Sequence, residues 1–258
     1  MREPHMTSQL LENLVRESLI QKKADELFQA KQKPEYRNMV SQILTSCLEG
    51  YFHDLSERFG LNDRDLDEWK SEINEMPSIK ALTDFSNPEK QRQGAYLEAK
   101  NEYLTVTEIK AQMEQMLGLL EEPVRDGILK PADITPFKQI GEKMCGLGDQ
   151  RDKVVQYLAV VAEREGIEKA LTEEAERDAI RAVFPTKQEY IAYRLDALQL
   201  AKDYLNNMTK IISKDEGAEE MVLLVNNLQR AIFSIKELSE QEIRDRALEK
   251  AEKIYGAV

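Results

Sequence analysis

A chain of 258 residues with 41% apolar and 33% charged side chains, 11 glycines, 8 prolines and 2 cysteines lies far from collagen-like, Pro/Gly-rich disordered and disulfide-framework compositions. Its 48 acidic and 36 basic side chains give a formal charge of −12, and a cut after Leu120 divides that charge equally, so neither half is a basic nucleic-acid arm. Two histidines are too few for the common zinc sites and for most acid–base chemistry near neutral pH, which sets most metalloenzyme readings aside.

The length suits one large or two small domains. Leu, Ile, Val and Met recur throughout while aromatic residues make up only 7%, a mix that suits helices packed on helices. Cys47 and Cys145 are far apart and lack CxxC spacing, so they read as reduced thiols of a cytoplasmic protein. The longest apolar-rich stretches, 154–162 and 221–225, fall short of the roughly 20 residues that span a bilayer, and no membrane anchor is expected. The opening Met1-Arg2-Glu3-Pro4-His5-Met6 lacks the apolar run of a cleaved signal peptide. His5-Met6 resembles a cloning scar, with Met6 as the native start and His53 as the one native histidine.

Along the chain, residues 8–31 carry Leu10, Leu14, Val15, Leu19, Ile20, Ala24, Leu27 and Phe28 among charged residues, the wide stripe of an amphipathic helix. Pro34 breaks it and opens a second helix, in which Tyr36, Val40, Ile43, Leu44, Cys47, Leu48, Phe52, Leu55 and Phe59 trace a broad face up to a stop at Gly60. Asn62 or Asp63 can cap a short acidic helix with Leu66, Trp69, Ile73 and Met76 inward, before Pro77 restarts the chain. Asn87-Pro88, a cap followed by a first-turn proline, opens one long helix to about Leu120. In it Val106, Ile109, Met113, Met116 and Leu120 alternate spacings of three and four, and the β-like run 103–109 falls inside the helical pattern.

Between 121 and 148 the texture changes, with Pro123, Gly127, Pro131, Pro136, Gly141, Gly146 and Gly148 crowded together, which predicts a boundary or hinge. Ile128, Ile134, Phe137 and Ile140 in the same stretch favour short packed helices and turns over a solvated linker. Asp149 then caps a helix to Glu165, and Thr172 starts another that ends at Phe184-Pro185. Thr186-Lys-Gln-Glu189, Ser213-Lys-Asp-Glu216 and Ser239-Glu-Gln-Glu242 all fit the capping box, in which hydroxyl and carboxylate each satisfy an orphan amide. After the first box Ile191, Leu198, Leu205 and Ile212 recur every seven residues, with Leu195 and Met208 between them. After the second, Met221, Val225, Leu228, Ile232 and Ile235 alternate by four and three, so the two seams predict an antiparallel helical hairpin.

Chemical motifs are sparse. Glu49 and His53 lie four apart where a di-iron helix uses ExxH, and without a second histidine nearby the pair reads as a histidine hydrogen-bonded to its neighbour. Asp63, Asp65 and Asp67 echo the opening of a calcium loop, but Glu68 stands where the loop needs Gly and Asn74 where it needs a bidentate Glu. The ExxE pairs Glu72/Glu75 and Glu216/Glu219, with the acidic clusters at 173–178 and 216–220, match magnesium-binding all-α hydrolases literally; with 48 acidic residues a solvated face explains them as well. There is no GxSxG, Walker, GxGxxG or HExxH motif. Gly146-Leu-Gly148 before a helix could present amides to an anion, although Asp149 would already hold that cap.

Residues 137–158 resemble a helix-turn-helix, with Gly141 where the helices touch, Gly146 in the turn and Val154, Val155 and Leu158 anchoring a second helix. Cys145 makes that turn one residue longer than the common form, and Arg151 and Lys153 are offset by Asp149 and Asp152. Trp69, the sole tryptophan, is a candidate partner anchor.

These features predict an all-α multi-helix bundle of about nine or ten helices: an N-terminal bundle (7–120), a Pro/Gly-rich connector with short helices (121–148) and a C-terminal bundle (149–258). The expected function is a non-catalytic protein-interaction module, an adaptor, regulator or chaperone-like binder in the cytoplasm, with Trp69, Ile191, Leu198, Leu205, Val225 and Ile232 as contact residues and another protein, or a second copy, as partner. No cofactor or metal is expected. The alternatives are a DNA-binding regulator using Lys138, Lys143, Arg151 and Lys153, and a magnesium-dependent all-α hydrolase.

Overall fold

The computed structural model describes residues 8–60, 87–212 and 240–256, with 64, 67 and 71 besides; the short acidic helix, the second seam and the boxes at Ser213 and Ser239 lie outside them. The described residues are all helix and connecting turn, in the order α1 (Ser8–Gln32), α2 (Pro34–Phe59), α3 (Pro88–Glu102), α4 (Val106–Arg125), α5 (Pro131–Glu165), α6 (Ile167–Ala170), α7 (Glu173–Val183), α8 (Lys187–Ile212) and α9 (Glu240–Tyr255). The all-α bundle is thus the observed architecture.

Several helix ends fall where the sequence puts them. Pro34 occupies the first turn of α2, and Gly60 closes it with φ 63°, a left-handed conformation that costs a residue with a Cβ more than it costs glycine. The Asn87 side chain accepts the Lys90 amide at 3.2 Å. Thr172 caps α7, and the Thr186/Glu189 box is reciprocal, at 3.2 Å for hydroxyl from amide and 3.0 Å for carboxylate from amide.

Two expectations are corrected. The helix opened at Pro88 does not run to Leu120: it stops at Glu102, Tyr103 to Thr105 leave helical geometry, and α4 starts afresh. Thr105-Val-Thr-Glu108 is itself a capping box, its hydroxyl accepting the Glu108 amide at 3.2 Å while the Glu108 carboxylate accepts the Thr105 amide at 2.9 Å. The stretch 121–148 is not a connector of short helices. α4 continues through Pro123 to Arg125, a tight turn with Gly127 at φ 80° follows, and residues 131–148 form the first half of the 35-residue α5. Asp149 therefore lies inside α5, paired with Lys153 at 2.7 Å, and caps nothing.

Two glycines of that stretch, Gly141 and Gly148, serve helix contact instead of turns. α4 returns antiparallel along α5, and a Cβ on Gly148 would stand 2.8 Å from Ile109 Cδ1 and 3.4 Å from Val106 Cγ2; one on Gly141 would stand 3.1 Å from Met113 Cε. Pro131 fills the first turn of α5, where its missing amide leaves no acceptor unpaired, and the Asp133 carboxylate accepts the Lys130 amide at 2.7 Å.

α5 is the centre of the packing, touching α1, α4, α6, α7 and α8. Val155 and Leu158 are buried with Leu11, Val15 and Leu19 of α1 and with Ala170, Ala175 and Ala179 of α6 and α7. The core thus joins residues from both sides of 121–148. The α1 stripe is narrower than expected, since Leu10 and Leu14 are exposed and Leu11 is buried in their place. Nearer the start of α5, Phe137 is fully buried edge-on to Tyr204 of α8, with ring centroids 5.9 Å apart. On the other side of α1, Ile20 and Ala24 meet Ala99 of α3, where two small residues let the helices approach.

α9 docks on this same bundle. Its Ile254 and Ala251 pack with Phe184 and Tyr190, the Ile254 carbonyl accepts from Arg181, and the Tyr255 hydroxyl donates to the Phe184 carbonyl at 2.5 Å.

The Thr105 box makes a pH prediction. Burial pushes the Glu108 carboxyl up, but the Thr105 amide and hydroxyl, then the Lys100 and Arg16 charges, outweigh it and hold the pKa below its ordinary 4.5. A depressed carboxylate contributes stability above its ordinary pKa and loses it as pH falls through the folded value. Glu108→Gln is expected to lower the urea midpoint at pH 7, by less than about 1 kcal/mol of stability because the site is partly open to solvent. The gap from the parent should narrow as the pH falls below the ordinary carboxylate range and the Glu108 carboxylate is protonated. An equal deficit at pH 7 and below that range would contradict the assignment.

Candidate functional site

Four helices and the end of a fifth surround an open cleft of about 530 Å³ whose walls are charged. Helical spacing brings each residue there. Leu19, Lys22, Lys23 and Glu26 stand at i, i+3, i+4 and i+7 on α1, and Glu173, Glu176, Arg177 and Ile180 repeat that spacing on α7. α8 adds Tyr190 and Arg194, four apart, and α9 adds Lys250, Lys253 and Ile254. Glu102 and Tyr103 close the wall from the end of α3. In each helix an apolar member of the row packs inward and carries its charged neighbours to the rim.

Two of the cations are engaged. Lys22 Nζ donates to the Leu171 carbonyl at 3.1 Å, and Lys253 pairs with Glu249 at 2.7 Å. Lys23, Arg177, Arg194 and Lys250 make no hydrogen bond or salt bridge among the described residues, and Arg194 Nε is buried without a partner there.

Charges of both signs share the cleft. Burial pushes the Tyr103 phenol far up, and the Glu176, Glu102 and Glu26 carboxylates add to it against Arg151. At Lys250 partial desolvation holds the ammonium below the ordinary value, Lys23, Arg194 and Lys253 press it further down, and Glu102 opposes them. Burial also raises the Tyr190 phenol, with Arg194 opposing. Both phenols stay protonated at neutral pH and can donate hydrogen bonds. The cleft therefore offers phenol donors, cations and carboxylates to a ligand that carries charge.

The residues singled out in the sequence lie elsewhere. In place of the turn of a helix-turn-helix, residues 145–148 continue α5 without a break, so the motif at 137–158 does not form. Arg151 points inward: its guanidinium donates to the Glu102 and Leu104 carbonyls at the end of α3, while Arg16 donates to the Tyr103 carbonyl between them at 2.9 Å and to Asp152 at 2.8 Å. Lys138 and Lys143 are exposed on α5, and Lys153 is held by Asp149. Of the expected contact residues, Ile191 packs against the Phe184 and Ile254 cluster and Leu198 is half-buried on α8. Trp69, Val225, Ile232 and the Leu205 side chain lie outside the described residues.

Glu49 and His53 are exposed on α2, and Cys145 is a half-buried free thiol. Asp67 is exposed, whereas Asp63, Asp65 and both ExxE pairs fall outside the described residues. Among the described residues no three His, Cys, Asp or Glu side chains are placed to hold a metal ion, and no helix is long and apolar enough to cross a membrane.

Nothing in local spacing ties Lys23 to Arg194 or Lys250, so a reading along the chain had no means of joining them. The signal present in each helix was the i, i+3, i+4 row of charge beside an apolar seam. No protein-family model, curated protein or solved structure matches this chain.

Proposed function

We propose that this chain is a non-catalytic α-helical interaction module of the cytoplasm that binds an acidic segment of another protein in the cleft between α1, α7, α8 and α9. The observation that carries this reading is the set of four cations, Lys23, Arg177, Arg194 and Lys250, that line the cleft from four helices without a hydrogen bond or salt bridge among the described residues. A chain of net charge −12 repels acidic partners at long range, so a local cationic cleft selects where such a segment docks. The carboxylates that share the cleft favour a segment of mixed charge over a uniform polyanion such as duplex DNA. The open, polar shape suits an extended peptide better than a small apolar ligand.

The test is fluorescence anisotropy with a labelled ten-residue Glu-rich peptide at low and moderate salt. Binding is expected to weaken with salt and to fall at least tenfold in the Lys23→Glu/Lys250→Glu double variant. Reversing Lys138 and Lys143, exposed on α5 and outside the cleft, should leave it within about twofold. Equal loss in both double variants would reduce the effect to overall charge, and tighter binding of a duplex than of the peptide would favour the nucleic-acid alternative.

A further inference from the structure

Three cations of the cleft come from three separate elements. Lys23 comes from α1, Arg194 from α8 and Lys250 from α9, and all three line one cavity. α9 packs on α8 and α7 through Ala251 and Ile254, yet toward α1 it presents Lys250 to Lys23. Like charges brought together repel, and at the Lys250 ammonium Lys23 and Arg194 press against the opposing Glu102. Arg194 adds a buried Nε with no acceptor among the described residues. A guanidinium short of one acceptor that shares a cavity with two ammonium groups without hydrogen bonds or salt bridges among the described residues is an arrangement that an oxyanion completes.

We infer that Lys23, Arg194 and Lys250 form a bridging oxyanion site, which takes one phosphoryl or carboxylate group and fastens α9 to α1. The inference rests on the cleft being a binding site and adds its chemistry and its mechanical effect. The guanidinium supplies a planar pair of donors, and the two ammonium groups supply point charges from two other helices. Lys22 and Lys253 lie beside them but are already engaged, with the Leu171 carbonyl and with Glu249. Of the cleft carboxylates, Glu102 is the one whose charge opposes the cations at Lys250. With a bound anion the repulsion across the α1/α9 seam becomes attraction, and the last helix gains a tie that its apolar contacts with α7 and α8 do not provide.

Inorganic pyrophosphate and tricarballylate separate the phosphoryl from the carboxylate source. Calorimetry with each is expected to show one site per chain for at least one of them, weakened tenfold or more by Arg194→Gln and by Lys250→Gln. Lys138→Gln should not change it, and circular dichroism should show each variant folded. Amide exchange across residues 243–254 should slow when that anion is bound, and this slowing should vanish in Lys23→Gln. Saturable binding that ignores all three cleft substitutions would overturn the inference, as would binding that leaves exchange in α9 unchanged. If neither anion binds while the Glu-rich peptide still docks in the cleft, the bridging site is wrong and the interaction module stands; if the peptide fails too, both fall.

Discussion

Arg151→Met is expected to lower the stability of this chain by about 3 kcal/mol, a drop of roughly 6–10 °C in Tm, without the charge-specific loss of nucleic-acid binding that a recognition-helix arginine would give. The reason lies at the junction of α3 and α4. The junction presents three consecutive carbonyls, that of exposed Glu102, where α3 ends, and those of half-buried Tyr103 and buried Leu104. Arg151 donates to the first and third of these carbonyls and Arg16 to the second. Each such bond to a charged donor contributes about 1.5 kcal/mol, and removing the guanidinium leaves two acceptors short. Burial presses the Arg151 pKa down, but an arginine remains charged at neutral pH, so the clamp holds there. Methionine keeps much of the aliphatic volume and removes only the donors. Thermal unfolding followed by circular dichroism checks the value. A loss below about 0.5 kcal/mol would mean that water or neighbouring groups already satisfy the carbonyls. Arg16→Met should be comparably harmful, because it also breaks the salt bridge with Asp152, whose partner side chains are only 12% and 20% exposed. The two substitutions together should fall short of additive, since both undo one junction.

Arg151 also marks where the sequence was legible and where it was not. Helix starts written in local chemistry were readable: Asn87, Thr172 and the Thr186 box each satisfy an orphan amide within four residues of themselves, and Pro34 removes one from the first turn of α2. Thr105-Val-Thr-Glu108 has the same form and was hidden because Val106, Ile109 and Met113, all of α4, fit the continuation of the helix opened at Pro88 equally well. The glycines of 121–148 were ambiguous for a physical reason. Glycine serves a positive φ, as at Gly127, and it also serves close approach, as at Gly141 and Gly148, and only the partner helix decides between them. What Arg151 bonds was out of reach for the same reason: the carbonyls it caps lie nearly fifty residues earlier, and its own neighbours in sequence point to a different role. The cleft is the extreme case, since its charges come from five helices and acquire meaning only once α9 is docked.

Leu158→Ala is expected to cost about 3 kcal/mol, near the middle of the range for deleting three buried carbons, and to do so in a single unfolding transition. Leu158 is fully buried, and its cluster joins Leu11, Val15 and Leu19 of the first helix to Ala175 and Ala179 of the seventh. Those alanines are small and sit on a helix fixed by its own cap at Thr172, so the walls have little with which to refill the space. Partial collapse would bring the figure toward 2 kcal/mol and a rigid cavity toward 5. The cooperativity is the sharper test. If residues 7–120 and 149–258 folded as independent bundles, a hole at Leu158 would shift one transition and leave the amides of α3 and α4 protected. A core shared between α1 and α5 instead passes the loss to both sides, because α1 also carries α3 through Ile20, Ala24 and Ala99. Hydrogen exchange in mild denaturant distinguishes these outcomes: global loss of protection in α3, α4, α5 and α7 together follows from the shared core, whereas unchanged protection in α3 and α4 would restore the two-bundle division. Val15→Ala, across the same cluster, should act in the same direction with a smaller cost, and the pair should depart from additivity because both open one cavity.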